Sequence, residues 1–174
     1  ANSSQVDVEE LTRVEFLGRK EMMISHDFYK KNVPGFEKSF IVLTNPQLGT
    51  RGSRRVVVEY VLSEKDLNTN VPFDDTIAVF PDVDRGQDSL KYPLTYMPYR
   101  SMIPRKVNNL LVACRAFSSD AIANNFFNYI PHCIAMGEAA GVAAAQAAGT
   151  GVDLRKVNVR SVQANLKKHG SILP

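Results

Sequence analysis

The sequence predicts a mixed α/β fold in which helices flank short strands. Apolar residues recur at helical spacing near both ends of the chain. Several short runs between them are rich in β-branched and aromatic residues, as strands are. An alanine-rich stretch in the last third is typical of a closely packed helix. With 174 residues and 44% hydrophobic content, the chain is long enough for one ordinary core or for two incomplete parts of a larger protein.

The first predicted helix runs from about Val6 to Lys31. Apolar residues recur there among charged ones, Ser4 is a candidate N-cap, and the Val33-Pro34-Gly35 turn ends the pattern.

Two strands are predicted next, at Ser39–Thr44 and Arg55–Leu62. The segment between them, Asn45–Ser53, contains one proline and two glycines and is therefore expected to be a sharply bent loop.

The stretch from Ser63 to Arg100 is interrupted by four prolines, with strand-like pieces at Thr76–Phe80 and Leu94–Tyr99. This pattern predicts an irregular, sheet-based substrate or cap region.

A continuous apolar run at Asn109–Ala113 is typical of a parallel strand buried on both faces. The alanine-rich helix follows, from about His132 to Ala148, with Gly149 and Gly151 expected to end it. Its glycines Gly137 and Gly141 predict that its backbone lies very close to a sheet.

A last amphipathic helix is predicted from about Val159 to His169, with Val162 and Leu166 facing inward.

Composition disfavours several classes of function. The net charge is only +3, and the densest basic cluster, Arg51, Arg54 and Arg55, has no interleaved aromatic residues, so nucleic acid is not an expected partner. The most apolar stretch, Ile134–Ala148, is too short to span a membrane. The first ten residues resemble no signal peptide, and a cytoplasmic location is expected.

The two cysteines, Cys114 and Cys133, match neither a CxxC pair nor a metal site, and free, buried thiols are predicted. No metal site is expected, because the acidic residues of the only candidate calcium loop are not followed by the required glutamate; they are Asp82, Asp84 and Asp88.

Three passages share an order that resembles a known family. Tyr99-Arg100-Ser101-Met102-Ile103-Pro104-Arg105 and Asn108-Asn109-Leu110-Leu111-Val112-Ala113-Cys114-Arg115 resemble a "pYRsLiP…NLLVAGR" strand. Ile130-Pro131-His132-Cys133-Ile134-Ala135-Met136-Gly137-Glu138-Ala139-Ala140-Gly141 is similar to a "P-x-C-M-A-x-G-Q-A-A-G" helix. This is the C-terminal signature of FAD-dependent oxidoreductases whose flavin domain is of the glutathione-reductase type. Cys114 stands where that family usually has glycine.

The resemblance implies the C-terminal portion of a two-domain flavoprotein. Residues 1–100 would form part of the substrate or cap domain, with its sheet and helix. Residues 101–151 would supply the closing strand, loop and helix of the FAD-binding domain, and residues 152–174 a helical tail.

The amino end of the alanine-rich helix is the expected flavin-facing element. Backbone donors from about His132 to Ile134, with the positive end of the helix dipole behind them, suit the electron-rich edge of a flavin. A buried helix simply packed on a sheet is the alternative. The resemblance implies a set of cofactor-binding candidates, which comprises Ala113, Cys114, Arg115, Asp120, Ile130, Pro131, His132, Cys133 and Ile134.

Four residues are catalytic candidates. His132, at a helix amino end, is expected to exchange protons near pH 7, although a structural histidine is an equal alternative. Arg51 and Arg54 are expected to hold a carboxylate or carbonyl of the substrate, with solvated arginines as the alternative. Tyr99 is expected to face the active site.

The chain contains no GxGxxG turn followed by a helix, the element that cradles the pyrophosphate of a dinucleotide. We therefore expect an oxidoreductase component that transfers a hydride between FAD and a small organic substrate and needs another protein chain or segment to hold the ADP half. The isolated chain should bind FAD weakly and be inactive. A non-catalytic assembly subunit and an independent small domain without cofactor are the other readings.

Overall fold

A computed structural model describes residues 4–81, 92 and 94–174. The chain divides into two units, Ala1–Ser53 and Arg54–Pro174. The described residues form five α-helices and a two-stranded sheet, which confirms the mixed α/β class. The acidic residues of the disfavoured calcium loop, Asp82, Asp84 and Asp88, lie outside the described residues.

The first unit is built around helix α1, Val8–Asn32. The helix was predicted, but its cap is Asp7 and not Ser4, because the Asp7 carboxylate accepts hydrogen bonds from the backbone N–H groups of Glu9 and Glu10, both at 3.0 Å. A carboxylate also suits the positive end of the helix dipole. Gly35, with φ of +94°, forms the predicted turn.

The predicted strand at Ser39–Thr44 is wrong, since this segment has no regular secondary structure. Its end is instead held by Arg19, whose guanidinium donates to Thr44 Oγ1 at 2.8 Å and to the Asn45 carbonyl at 3.0 Å. A strand requires a neighbouring strand for its backbone groups, and the described part of this unit offers none. The predicted loop at Asn45–Ser53 is confirmed.

The second unit begins with a segment that also lacks its predicted strand. Residues 55–62 make backbone hydrogen bonds to residues 103–105 and 116–120 but form only isolated bridges, from Val58 to Pro104 and from Leu62 to Ser119. A short helix α2, Glu64–Thr69, follows.

Strands β1, Thr76–Pro81, and β2, Leu94–Pro98, confirm the two predicted pieces. They pair antiparallel, with Val79 opposite Tyr96, and form the one sheet of the described chain.

The predicted buried strand at Asn109–Ala113 is wrong. The segment is irregular, Leu110 is 43% exposed, and Val112 donates a backbone hydrogen bond to the Met102 carbonyl at 2.9 Å. The apolar composition fits a sheet interior, but the described chain supplies no sheet on either side of it.

Three helices complete the unit: α3, Ala121–Phe127; α4, Ile130–Thr150; and α5, Val159–Lys168. The last two confirm predictions, and Val162 and Leu166 of α5 are buried as expected. Helix α4 ends at Gly151, which adopts φ of +69° as helix-terminating glycines do, whereas Gly149 still lies inside the helix.

The core of this unit lies where α4 and α5 pack against β1. Helix α4 contributes its buried face through Met136 and three alanines. The glycines Gly137 and Gly141 lie on the opposite, exposed face, where an added Cβ would meet no atom within 4 Å among the described residues. Within the described chain, therefore, no sheet approaches these glycines closely. The buried alanines of α4 face β1 instead.

The predicted division into residues 1–100, 101–151 and 152–174 concerns the complete flavoprotein and stays a prediction. Among the described helices, none is long and apolar enough to cross a membrane.

Candidate functional site

The amino end of α4 is the first element of the site. Tyr129 is its N-cap residue, and the Tyr129 side chain makes no capping hydrogen bond. Pro131 has no N–H, and the Cys133 N–H already donates to the Tyr129 carbonyl at 3.1 Å. The predicted N–H donors at Cys133 and Ile134 therefore belong to hydrogen bonds within the helix. The N–H groups in the first turn that have no partner within the helix are those of Ile130 and His132.

His132 lies beneath this end and is fully buried. Neither ring nitrogen has a hydrogen-bond partner in the described structure. Aromatic rings surround it, with centroid distances of 4.0 Å to Phe80, 5.7 Å to Phe127, 5.8 Å to Tyr129 and 6.1 Å to Phe126.

Burial lowers the pKa of His132 to about 4, because a charged imidazolium would lose its hydration inside this aromatic cluster. The expected proton exchange near pH 7 is thereby corrected: at that pH the ring is neutral. A contact between His132 and the cofactor stays a prediction. The backbone N–H of His132 could make it even though the ring is buried.

Cys133 lies in the first turn of α4, and Cys114 and Arg115 are near enough to influence its pKa. Cys114 is exposed, so the prediction of a buried thiol is wrong for it, whereas Cys133 is half-buried. Burial raises the pKa of the Cys133 thiol, and the charge, backbone N–H and side chain of Arg115 act in the opposite direction. Ala113, which precedes them, is half-buried against the core.

Asp120 has a structural role that the sequence did not reveal. One carboxylate oxygen accepts from the backbone N–H of Ala123 at 2.8 Å and caps α3, and the other accepts from the N–H of Glu64 at 2.7 Å, at the start of α2. Its own N–H donates to the Leu62 carbonyl at 2.8 Å. Asp120 thus joins two helix starts, and its predicted place near FAD stays a prediction.

Asp120→Ala is expected to lower the free energy of unfolding of the chain by about 2–3 kcal/mol, because two backbone donors at helix starts lose their charged acceptor. Asp120→Asn is the matched control and should cost roughly half as much, since its amide keeps one acceptor oxygen. Urea titration followed by circular dichroism measures both. Equal stability of Asp120→Ala and wild type would contradict this role.

Tyr99 is buried, and its hydroxyl donates to the Leu154 carbonyl at 2.9 Å. Burial, with a smaller contribution from Asp153, raises its pKa to about 12. The hydroxyl therefore already donates to the Leu154 carbonyl, in the tail of the chain, and the expected placement of Tyr99 facing the active site stays a prediction. Its catalytic role stays a prediction.

The neighbouring Arg100 anchors a cluster that sequence analysis missed. Its guanidinium carbon lies 4.6 Å from the ring centre of Tyr60 and 5.1 Å from that of Phe73, and Nη1 pairs with Asp75 at 2.9 Å. Cation–π contacts of this kind join residues distant in sequence and leave no periodic pattern. The adjacent Tyr-Arg dipeptide was the only signal available.

The two catalytic arginines fall in different units, Arg51 in the first and Arg54 in the second, and both are exposed. Within the second unit, Cys114 and Arg115 influence the pKa of Cys133 in the first turn of α4, whereas Asp120 and Tyr99 are held by contacts of their own.

Comparison with protein families decides the assignment. The model of the family described as FAD dependent oxidoreductase matches residues 1–166. The chain belongs to this family. Its cofactor is FAD and its chemistry is oxidation and reduction, which confirms the resemblance at this level; the glutathione-reductase type of the flavin domain stays a prediction. Neither a curated protein nor a solved structure matches the chain.

The residues at the amino end of α4 fit the FAD of this family. The two backbone donors suit the polar edge of an isoalloxazine, and the exposed side chains of Ile130 and Ile134, at 66% and 67%, suit its apolar face. Ile130, His132 and Ile134 would hold the ring, and FAD when bound supplies the capacity to accept or give two electrons.

Proposed function

We propose that this oxidoreductase chain serves a hydride transfer between FAD and a small organic substrate, with the flavin ring at the amino end of α4. The observation that supports this most is the amino end of a 21-residue helix, where the N-cap side chain makes no capping bond and two isoleucines, Ile130 and Ile134, are exposed.

The physical basis is electrostatic. The aligned peptide dipoles of α4 place about half a positive charge at this end, and the N–H groups of Ile130 and His132 point along the same axis. Such an end stabilises negative charge on an oxygen or nitrogen placed against it. The neutral, buried His132 fixes the first turn by packing and adds no competing positive charge at pH 7.

A substrate with a carboxylate or carbonyl is proposed because two arginines are exposed, Arg51 in the first unit and Arg54 at the start of the second. Charge-assisted hydrogen bonds from guanidinium groups to such oxygens are among the stronger polar contacts in proteins. We place Arg54, in the same unit as α4, first among the substrate-binding candidates.

We also propose that another protein chain or segment completes the cofactor site by contributing the GxGxxG element. The support comes from the exposed face of α4. Its residues recur three or four positions apart and so form one continuous stripe of small and apolar side chains: Ile130, Ile134, Gly137, Gly141, Ala144 and Ala148. The absence of side chains at the glycines permits a very close backbone approach.

A non-catalytic assembly subunit is the second candidate. It is favoured because two predicted catalytic side chains make internal contacts. The Tyr99 hydroxyl donates to the Leu154 carbonyl, and His132 is enclosed by aromatic rings. Both candidates predict a complex, but only the first predicts that the flavin in it reacts.

The isolated chain is expected to bind no yellow cofactor, because the contacts to the ADP half are missing from it. Visible absorbance and titration with FAD measure this. Tight, stoichiometric FAD binding by the chain alone would contradict the partner requirement.

The chain purified with an affinity tag from its native source is expected to carry a second polypeptide and FAD, identified by mass spectrometry. Bleaching of the flavin absorbance by carboxylate- or carbonyl-bearing donors then separates the two candidates. If neither these donors nor their oxidised products change the flavin spectrum, the assembly subunit is favoured. A chain that is monomeric, unfolds cooperatively and does not bind FAD would overturn both candidates.

A further inference from the structure

An ion pair on helix α1 also holds a loop of the first unit. Arg19 Nη2 lies 2.7 Å from Glu15 Oε1. The same guanidinium donates to the Asn45 carbonyl at 3.0 Å and to Thr44 Oγ1 at 2.8 Å. The other carboxylate oxygen of Glu15 accepts from the backbone N–H of Leu48 at 3.2 Å. The two side chains therefore bind the loop at two separate points.

Apolar packing does little to fix the position of this loop. Leu43 is 87% exposed and Leu48 is 40% exposed. A cleft of about 390 Å³ lies between the loop and α1, and Gly18 leaves the helix surface open there, since an added Cβ would meet no atom of the described chain within 4 Å. With few apolar contacts across the cleft, the position of the loop depends mainly on the hydrogen bonds of Glu15 and Arg19.

The chemistry of the pair suits a positioning role. An exposed ion pair by itself contributes little to stability, and the Arg19 and Glu15 side chains are 41% and 29% exposed. A guanidinium, however, directs its donors in a fixed planar fork, so acceptors on the helix and on the loop define one relative placement. Hydrogen bonds from Arg19 and from the Leu48 N–H lower the pKa of Glu15, because both stabilise the charged carboxylate that holds the loop.

The loop held in this way carries Arg51, whose Cα lies within about 11 Å of the Leu48 Cα because only three peptide units separate them. We propose that Glu15 and Arg19 are positioning residues, which hold the loop so that Arg51 meets a substrate carboxylate from a fixed place. This role rests on the proposed function, in which Arg51 is a substrate-binding candidate; Glu15 and Arg19 act through Arg51. A loop that is already ordered loses less conformational freedom when a ligand binds, so the affinity for a carboxylate should depend on the pair.

Hydrogen–deuterium exchange of the full chain tests whether the pair holds the loop. Arg19→Ala and Glu15→Ala should each raise exchange in peptides that cover residues 44–51 at least several-fold, because the loop opens more often. Exchange in α1 should change little, since alanine favours a helix. Glu10→Ala, which removes the ion pair of Glu10 with Arg13 on the same helix, is the matched control and should leave the loop unchanged. Unchanged exchange in both alanine variants of the Glu15–Arg19 pair would overturn the proposal.

Acetate serves as the carboxylate probe, because its binding to Arg51 can be followed without flavin or partner. NMR of the isotope-labelled chain, with the Arg51 side-chain N–H signal assigned through Arg51→Lys, should show a shift that saturates with acetate. Arg19→Ala should weaken this binding several-fold, and Arg19→Lys, which keeps the charge but not the fork, should recover part of it. Glu10→Ala should bind acetate as the wild-type chain does.

The outcomes separate this role from the proposed function. If acetate binds at Arg51 equally well in Arg19→Ala and wild type, the positioning role is wrong and the substrate role of Arg51 stands. If acetate produces no saturable shift at Arg51 in the wild-type chain, the substrate role of Arg51 is wrong, and the positioning role falls with it even where exchange shows that the pair holds the loop. Weaker binding in Arg19→Ala, with partial recovery in Arg19→Lys, supports both.

Discussion

Gly141→Leu is expected to lower flavin and partner retention by this oxidoreductase chain sharply while leaving its own fold intact. Gly141 lies on the exposed stripe of α4, and an added side chain there meets no atom of the described chain within 4 Å. Leucine is also a better helix former than glycine, so the isolated chain should gain about 0.5–1 kcal/mol of stability. A partner that packs on the stripe would instead meet four extra carbon atoms.

Overpacking of a close interface costs about 1–3 kcal/mol, which corresponds to a loss of roughly 5- to 150-fold in affinity. The measurement is the amount of partner and FAD that copurify with the tagged chain, alongside its urea unfolding curve. Gly141→Ala is the matched control, because one methyl group keeps most of the close approach and gains the same helix propensity. Unchanged copurification of Gly141→Leu would show that the partner does not use this face.

The same stripe shows what the sequence could predict. The spacing of small residues from 130 to 148 predicted the helix, and the glycines predicted a close neighbour for it. The pattern does not say whether that neighbour belongs to the chain. The structure places the alanines against β1 and leaves Gly137 and Gly141 facing outward.

The three wrong strands have one physical cause. Residues 39–44, 55–62 and 109–113 have the β-branched and apolar composition of strands, but a strand also needs a neighbour that pairs with its backbone. Within the described chain only β1 and β2 pair continuously, while residues 55–62 make backbone hydrogen bonds to 103–105 and 116–120 that amount to isolated bridges. Composition thus indicates a preference for strands, but it does not show whether a continuous partner strand is present.

The candidate site divides in the same way. Its location at the amino end of α4 could be predicted, because a helix end follows from the sequence pattern and its dipole from the helix. The individual side chains could not, because their contacts are long-range: Asp120 caps a helix more than fifty residues earlier in the chain through Glu64. Residue type alone does not distinguish a carboxylate that binds a cofactor from one that caps two helices.

His132 provides the other large expected effect, a loss of stability in mild acid. Its ring is fully buried without a hydrogen-bond partner in the described structure, and burial lowers its pKa from 6.5 to about 4. The unfolded chain therefore binds a proton below pH 6.5 that the folded chain accepts only near pH 4. Stability from this group is fully present above pH 6.5 and falls as the pH decreases from 6.5 to 4, by a total of about 3 kcal/mol.

His132→Phe should remove this dependence, because phenylalanine suits the surrounding cluster of Phe80, Phe126 and Phe127 and does not titrate. Urea unfolding at a series of pH values from 7.5 to 4, roughly the window in which the histidine titrates, gives the difference between variant and wild type. Carboxylates contribute equally to both and cancel. His169→Gln, at an exposed histidine, is the control for the loss of one histidine. If His132→Phe loses stability in parallel with wild type, the ring gains a partner for its proton in solution, and the neutral, enclosed state assigned to His132 is incorrect.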